Sequence, residues 1–166
     1  MTSSTLPVTP AGRDGMSRAV DPAGFQVFSR RLECVTSRNF EIIDLTDRIA
    51  GVIAQSGIDS GVAHVQSLHT TTALFVNERQ TALLDDVEAL VRLLVEERSD
   101  WRHNDRRYSD CDRGNATAHL RSVLVGHAIS MQVENGRPVL GKWQTALFLE
   151  MDGPQTRRLS VQVMGI

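Results

Sequence analysis

The segment of residues 128–166 reads AISMQVENGRPVLGKWQTALFLEMDGPQTRRLSVQVMGI. Apolar and polar residues alternate along much of it, as they do in strands with one buried face. Two turn signals interrupt the alternation: an Asn-Gly pair at 135–136, the strongest short-range hairpin signal, and Asp-Gly-Pro at 152–154. We therefore predict a β-meander of three antiparallel strands.

Upstream of this meander, strand-like and helix-like segments follow one another without a regular order. Strands are predicted in FQVFSRRLE, in NFEIIDL and in GVAHVQSLHTTTALFVNE, which reads as two strands or as one long bent strand. Helices are predicted in DRIAGVIAQSG, in QTALLDDVEALVRLLVEER and in GNATAHLRSVLVGH. The first of these has Thr46 as its expected N-cap and Gly57 as the residue that ends it.

The order of elements predicts the α+β class, with about seven strands and three helices. The helices are expected to pack on a mainly antiparallel sheet or on a sandwich of two sheets. No regular βαβ alternation is present, which argues against a doubly wound fold. The second helix has the clearest signal, because its apolar residues form one narrow stripe that is expected to pack on the sheet. That stripe consists of Leu83, Leu84, Val87, Leu90, Val91 and Leu94.

Length and composition indicate one globular domain. The chain has 166 residues, and we predict a loose Ser/Thr/Pro/Gly-rich tail over 1–24 and a single domain over 25–166. A formal net charge of −2 provides no basic surplus for a nucleic-acid backbone, and no apolar run suits a signal peptide or membrane span. Two cysteines are too few for a disulfide scaffold, which favours a reduced, cytoplasmic setting.

Three histidines are candidate functional residues: His69 at a bend before a strand, His103 in a long charged loop and His119 on the third predicted helix. Neutral imidazole is the commonest protein ligand for zinc, and three histidines with an open fourth position form a catalytic metal site. No tight motif links the three, so the alternative stays open that each one bonds nearby backbone groups. His64 and His127 are interpreted as structural.

The stretch LHTTTALFVNE at 68–78 surrounds the first of these histidines with further polar residues. The three threonines 70–72 either satisfy the backbone of a sharp bend or present hydroxyls and amides to an anionic oxygen. Glu78, beside Asn77, either caps the next helix or serves as an acid, a base or a partner that orients an imidazole. We favour a role of Glu78 in a site.

The third helix and the meander contribute further candidates. Asn115 and His119 are one helical turn apart and can point together into a cavity at the rim of the core. On the middle strand of the meander, Gln144 and Glu150 are expected to share one face, with Trp143 on the other. Trp143 either stacks on a flat ligand ring or packs in the core, and we favour the core.

Several separated motifs, taken together, resemble one family. HTTTALFVNE, RHND, NATAHLRSVLVG and NGRPVLGKWQTALFLEMDGP, in unbroken order within about residues 25–165, resemble the YjbQ-like family, whose members are described as secondary thiamine-phosphate synthase enzymes. The resemblance implies a small α+β domain with a sandwich-like sheet. It also implies a homotrimer with sites near subunit boundaries and a transferase activity on a phosphorylated small molecule.

The motifs and the resemblance together give the candidate site residues. The expected catalytic residues are His69, Glu78 and His119. The expected substrate-binding residues are Thr71, Asn77, Asn115, Trp143, Gln144, Glu150 and Arg157. The expected ligands of a divalent metal, Mg or Zn, are His69, His103 and His119.

Two positions depart from the pattern of the family. Lys142 stands where members often have a threonine, and Gln155 stands where they often have an arginine after the Asp-Gly-Pro turn. The anion contact expected of that arginine would then come from Lys142, Arg157 or Arg158.

The reaction that the resemblance implies determines what these cations would do. A pyrimidine diphosphate loses pyrophosphate while the thiazole nitrogen captures its methylene carbon, so negative charge grows on the leaving group. A divalent metal and the neighbouring cations would stabilise that charge. Two alternatives use the same residues: a metal-dependent phosphoester hydrolase with bound water as nucleophile, and a trimeric protein that binds a small anion without catalysis.

Overall fold

A computed structural model describes residues 17–21, 24–98 and 100–166. Most of the predicted tail lies outside these residues. The described part contains nine strands: β1 (Ser17–Val20), β2 (Gln26–Val35), β3 (Glu41–Asp44), β4 (Ser60–Ser67), β5 (Thr72–Asn77), β6 (Ala128–Glu134), β7 (Arg137–Pro138), β8 (Thr145–Glu150) and β9 (Thr156–Gly165). Its helices are α1 (Thr46–Ser56), α2 (Thr81–Leu94) and α3 (Ala116–Val125), with a short 3₁₀ helix at Arg102–Asn104.

The strands form two antiparallel sheets. The large sheet has the order β1-β2-β9-β4-β6-β7, and the small sheet has the order β3-β8-β5. The predicted α+β class with mainly antiparallel strands is confirmed. The tail prediction is wrong for residues 17–20, because β1 pairs with β2 along its whole length.

A hydrophobic core lies between the two sheets and includes α1. Phe28 of β2, Ile49 of α1, Phe148 of β8 and Val161 of β9 are all buried in it. A second apolar cluster, on the other face of the small sheet, joins Leu149 of β8 with α2 and α3. The small sheet therefore has two buried faces, and α3 packs against β5 at the edge where the candidate site forms.

The predicted three-stranded meander is wrong, although its first turn is right. The Asn-Gly pair at 135–136 forms the β6–β7 hairpin, with φ of 51° and 65°, the positive angles that this turn requires. Strand β8 then leaves for the small sheet, and β9 returns to the large sheet between β2 and β4. The sequence of β8, TALFLE, explains this path, because five of its six residues are buried and need cover on both faces.

Helix α1 ends as predicted but is capped differently. Gly57 ends it with φ of 69°, the left-handed conformation that glycine adopts without strain. Thr46 is the first helical residue, and Leu45 occupies the cap position without a side-chain cap bond. The Thr46 hydroxyl instead accepts a hydrogen bond from the backbone N–H of Ala146 at 3.0 Å. Thr46 therefore ties α1 to the small sheet.

The apolar stripe of α2 does not pack fully on the sheet, which corrects the prediction. Val91 is the buried residue of α2, and Val87 packs beside it against the second cluster. The C-terminal part of the helix, together with the exposed side of α3, forms an uncovered apolar surface, which we call the α2–α3 face. It consists of Leu90, Leu93, Leu94, Val123 and Leu124, each more than half exposed.

No helix among the described residues is long and apolar enough to cross a membrane.

Candidate functional site

A pocket of about 710 Å³ opens where the end of β4, the turn at 68–71 and α3 meet. His69 and Thr70 line it from the turn, and His119 and Ser122 line it from α3. Its volume is that of ordinary small-molecule sites, about 300–1,000 Å³. The pocket therefore brings together three histidines that are far apart in the sequence: His69, His119 and His127. The placement of His127 differs from its interpretation as a purely structural residue.

The imidazole of His69 is held against the first residues of β9. The backbone N–H of Arg158 donates a hydrogen bond to Nε2 of His69 at 2.8 Å. The backbone N–H of Leu68 donates to the carbonyl of the same arginine at 3.0 Å. Burial lowers the pKa of His69 below its usual value of 6.5, and the Arg157 guanidinium lowers it further, while Glu150 acts in the opposite direction.

His119 packs against His103 of the 3₁₀ helix. The two rings meet edge to face, with centroids 4.8 Å apart. Burial lowers the pKa of His119, His103 lowers it further, and Asp152 opposes the change. The Nε2 atom of His103 is buried without a hydrogen-bond partner among the described residues. Near neutral pH the pocket therefore presents neutral imidazoles from both His69 and His119.

These two pKa shifts predict that acid weakens the fold. Because the folded pKa values of His69 and His119 lie below the unfolded value, the unfolded chain binds more protons as the pH falls through 6.5. The free energy of unfolding then decreases below that pH. We expect denaturant titrations at about pH 8 and about pH 5.5 to show this decrease. The double variant His69→Gln/His119→Gln should show a smaller decrease.

His64 provides the matched control for that experiment. Its ring lies on the outer face of the large sheet, where Nδ1 contacts the hydroxyl of Ser130 at 2.9 Å. The His64→Gln variant should retain the decrease in stability. If His64→Gln reduces the pH dependence of the free energy of unfolding as much as the double variant does, the assignment to the pocket histidines is contradicted.

The three-histidine metal centre is not assembled among the described residues. No three His, Cys, Asp or Glu side chains in 17–21, 24–98 and 100–166 are grouped so that they could hold a metal ion. In addition, Nε2 of His69 already accepts the backbone hydrogen bond from β9. The described residues of one chain therefore do not fit the predicted ligand set, and metal binding stays a prediction.

Glu150 and Arg157 lie beside the pocket but not in its wall. Glu150 has no exposed surface, and Arg157 is 3% exposed. The guanidinium donates to both carboxylate oxygens, at 2.6 Å and 2.5 Å, and its Nη2 also donates to the hydroxyl of Thr71 at 3.1 Å. These three side chains form a buried network, contrary to the prediction that they bind substrate.

Asn77 and Glu78 lie at the far end of β5 from the pocket. Five residue steps separate Thr72 from Asn77, which corresponds to about 17 Å along a strand. The side-chain oxygen of Asn77 accepts a hydrogen bond from the backbone N–H of Glu78 at 2.9 Å. Neither residue lines the pocket of its own chain. A site role for Glu78 therefore requires a second subunit.

Trp143 and Gln144 precede β8 instead of forming part of it. Trp143 is 62% exposed, so the prediction that it packs in the core is wrong. The Nζ atom of Lys142 lies 4.7 Å from the centroid of its ring. The side-chain oxygen of Gln144 accepts a hydrogen bond from the backbone N–H of Gly141, so this segment forms its own turn.

Asn115 stands at the N-terminal cap position of α3, and its side chain donates to the carboxylate of Asp152 at 2.9 Å. Gln155 donates to the backbone carbonyl of the same aspartate at 2.8 Å. Asn115 does not line the pocket together with His119. Asp152 was expected only as a turn residue, and no local pattern marks it as the partner of Asn115.

The comparisons with known proteins agree with this fold. The model of the family described as "UPF0047 protein YjbQ-like" matches residues 30–166. The chain belongs to the YjbQ-like family. A UPF0047 protein of Methanothermobacter thermautotrophicus is 39% identical over 140 residues, 84% of this chain and 94% of that protein. YugU of Bacillus subtilis, also a UPF0047 protein, is 35% identical over 136 residues, 82% of this chain and 98% of its own.

Two solved structures have the same fold as this chain. A YbjQ-like protein of unknown function from Sulfolobus solfataricus P2 superposes with a TM-score of 0.79 at 30% identity, covering 86% of this chain and 99% of that one. A hypothetical protein from Aeropyrum pernix K1 superposes with a TM-score of 0.75 at 31% identity, covering 83% and 98%. The fold of this chain is thus shared with both of these solved structures.

Proposed function

We propose that this protein is an enzyme whose pocket binds a phosphorylated small molecule, and that its reaction is of the thiamine-phosphate synthase type. The observation that carries the proposal is the meeting of His69, Thr70 and His119 in one pocket of about 710 Å³. Hydrogen-bond donors on an apolar wall suit a ligand with a flat ring and a phosphate group. The resemblance of the sequence motifs implies the same reaction.

In this reaction, the C–O bond of the pyrimidine diphosphate breaks and pyrophosphate departs with the electron pair. The thiazole nitrogen then forms a bond to the methylene carbon. Fixed donors that meet the departing oxygens stabilise the charge in the transition state. His69, His119 and the hydroxyl of Thr70 line the pocket and can supply such donors. The guanidinium of Arg158, which is exposed and pairs with Glu33 at 3.4 Å, adds positive charge near His69.

Arg157 takes no direct part in this proposal, because Glu150 already binds it inside the core. No step is assigned to a metal, because the described histidines do not form a three-ligand set. If a divalent ion binds with the substrate, it would supply further positive charge at the leaving group.

We also propose that the protein assembles as a homotrimer with the site at a subunit boundary. The α2–α3 face supports this, because exposed apolar surface of that kind usually marks an interface. Val123 belongs to that face and also lines the pocket, so a subunit that covers the face would reach the rim of the site. Glu78 of a neighbouring chain could also reach the ligand.

Disruption of the α2–α3 face should therefore dissociate the protein. We expect Leu93→Asp to reduce the mass measured by light scattering to that of a single chain, because it places a charge in an apolar interface. Val35→Asp is the matched control, since Val35 is 75% exposed and Leu93 is 73% exposed. A single-chain mass for the unaltered protein, or an intact oligomer in Leu93→Asp, would contradict the assembly.

The proposed reaction is tested directly by incubation with the pyrimidine diphosphate and the thiazole phosphate. The expected products are thiamine phosphate and pyrophosphate in equal amounts. Free phosphate without a coupled product would indicate a hydrolase instead. Ligand-dependent thermal stabilisation without any product would indicate a binding protein. The assay is run with and without a chelator, and elemental analysis of the protein reports whether a metal copurifies.

A further inference from the structure

The buried network around Glu150 joins the end of β8 to the first residues of β9. Besides both bonds from Arg157, its carboxylate accepts hydrogen bonds from the hydroxyl of Thr36 at 3.1 Å and from the backbone N–H groups of Met151 and Asp152 at 3.0 Å and 2.9 Å. A paired arginine and carboxylate with two parallel bonds is a strong and directional contact. The network therefore fixes Arg157 relative to the end of β8.

The same network also fixes the turn at 68–71. Nη2 of Arg157 donates to the hydroxyl of Thr71 at 3.1 Å. The next residue of β9, Arg158, binds the turn through its backbone, donating from N–H to His69 and accepting at its carbonyl from Leu68. The turn is thus attached to two successive residues of β9 at three points.

The hydrogen bond from the backbone of Arg158 to His69 determines which ring nitrogen of His69 carries the proton. A backbone N–H can only donate, so Nε2 of His69 must be the acceptor and carries no proton. In a neutral imidazole, the proton is then on Nδ1. A protonated ring would place two N–H groups against each other, and this bond would be lost. Nδ1 itself has no hydrogen-bond partner among the described residues, and the ring lines the pocket.

We propose that the Glu150–Arg157 pair is a positioning element that holds His69 as a neutral imidazole with its proton on Nδ1, so that His69 donates a hydrogen bond to the ligand. His69 is then neither a general base through Nε2 nor a metal ligand through that atom. This inference extends the proposed function. Only its second part, the donation of a hydrogen bond from His69 to a ligand, rests on that function. The tautomer itself is a property of the protein without ligand.

Long-range ¹H–¹⁵N NMR of the full chain with labelled histidine tests the tautomer at about pH 8, where imidazoles are neutral. We expect the His69 signal to show a protonated Nδ1 and an unprotonated Nε2. A neutral histidine in water prefers the proton on Nε2. A proton on Nδ1 of His69 would therefore show that the hydrogen bond from the Arg158 backbone is present. A protonated Nε2 at His69 would overturn the proposal.

Two threonine variants separate positioning from general packing. Thr71→Val removes the hydroxyl that accepts a hydrogen bond from Arg157. Thr36→Val removes a hydroxyl that bonds the Glu150 carboxylate and the backbone of Gln155 but does not touch the turn at 68–71. We expect a measurable fraction of His69 in Thr71→Val to change to the Nε2-protonated form and none in Thr36→Val. Equal behaviour of the two variants would overturn the role of Arg157. If Thr71→Val does not fold, the tautomer of His69 in the unaltered protein still tests the proposal.

Inorganic pyrophosphate separates this inference from the proposed function. If both hold, its addition should move the Nδ1-bound proton of His69 downfield. If the tautomer is as expected but pyrophosphate causes no shift, the positioning stands and the donation to a phosphorylated ligand is wrong.

Discussion

Replacement of Arg157 with methionine is expected to lower the free energy of unfolding by about 3–5 kcal/mol, because it leaves a buried carboxylate without its cation. Glu150 has no exposed surface, so water cannot take the place of the guanidinium without opening the core. The desolvation cost of the unpaired charge therefore exceeds the loss of the hydrogen bonds alone. Chemical denaturation at neutral pH, with fitted midpoints and slopes, measures the change.

The double variant Glu150→Gln/Arg157→Met shows whether the unpaired charge is the cause. Glutamine retains an oxygen that can accept the N–H groups of Met151 and Asp152 and carries no charge. We expect the double variant to recover most of the stability that Arg157→Met loses. The adjacent Arg158→Met is the matched control, and its change should stay within about 1 kcal/mol because its ion pair is exposed to solvent. Equal losses at the two arginines would contradict the role of the buried pair.

Replacement of His119 with alanine is expected to lower the turnover of the proposed reaction by about a hundredfold or more, because it removes a donor from the pocket wall. The loss should appear in kcat and in kcat/KM alike, since the contact strengthens as charge develops on the leaving group. Steady-state kinetics of the coupled product measure it.

The matched control for this prediction is His64→Ala, which removes an imidazole from the outer face of the large sheet. Its turnover should equal that of the unaltered protein. His119→Asn should regain part of the activity, because its amide keeps a donor on the same face of α3. Unchanged turnover in a folded His119→Ala protein would contradict the mechanism.

The sequence predicted the fold best where a local pattern is enough. The Asn-Gly pair at 135–136 marked the hairpin, and Gly57 marked the end of α1, because positive φ angles are a local requirement. His69, at the bend before a predicted strand, and His119, on a predicted helix, were candidates from the residues alone, and the structure brings both to one pocket. These predictions rest on neighbours within a few positions.

The predictions that were wrong depended on the partner of an element. The stripe of α2 was clear, yet a stripe does not say whether a sheet or another subunit covers it, and Leu90 and Leu94 are exposed. The polar residues Glu150 and Arg157 looked like binding groups, but each is the partner that the other needs inside the core. A charged residue on a strand gives no sign of which of these roles it has.

Sequence patterns were sufficient for the α+β class and for the positions of most strands and helices. The folded chain was needed to see that β8 and β9 belong to different sheets and that the Nε2 atom of His69 already accepts a hydrogen bond. The partners in these contacts are far apart along the chain. The N–H that binds His69 belongs to a residue 89 positions away, and a backbone amide is present at nearly every position, so no pattern of side chains could single it out.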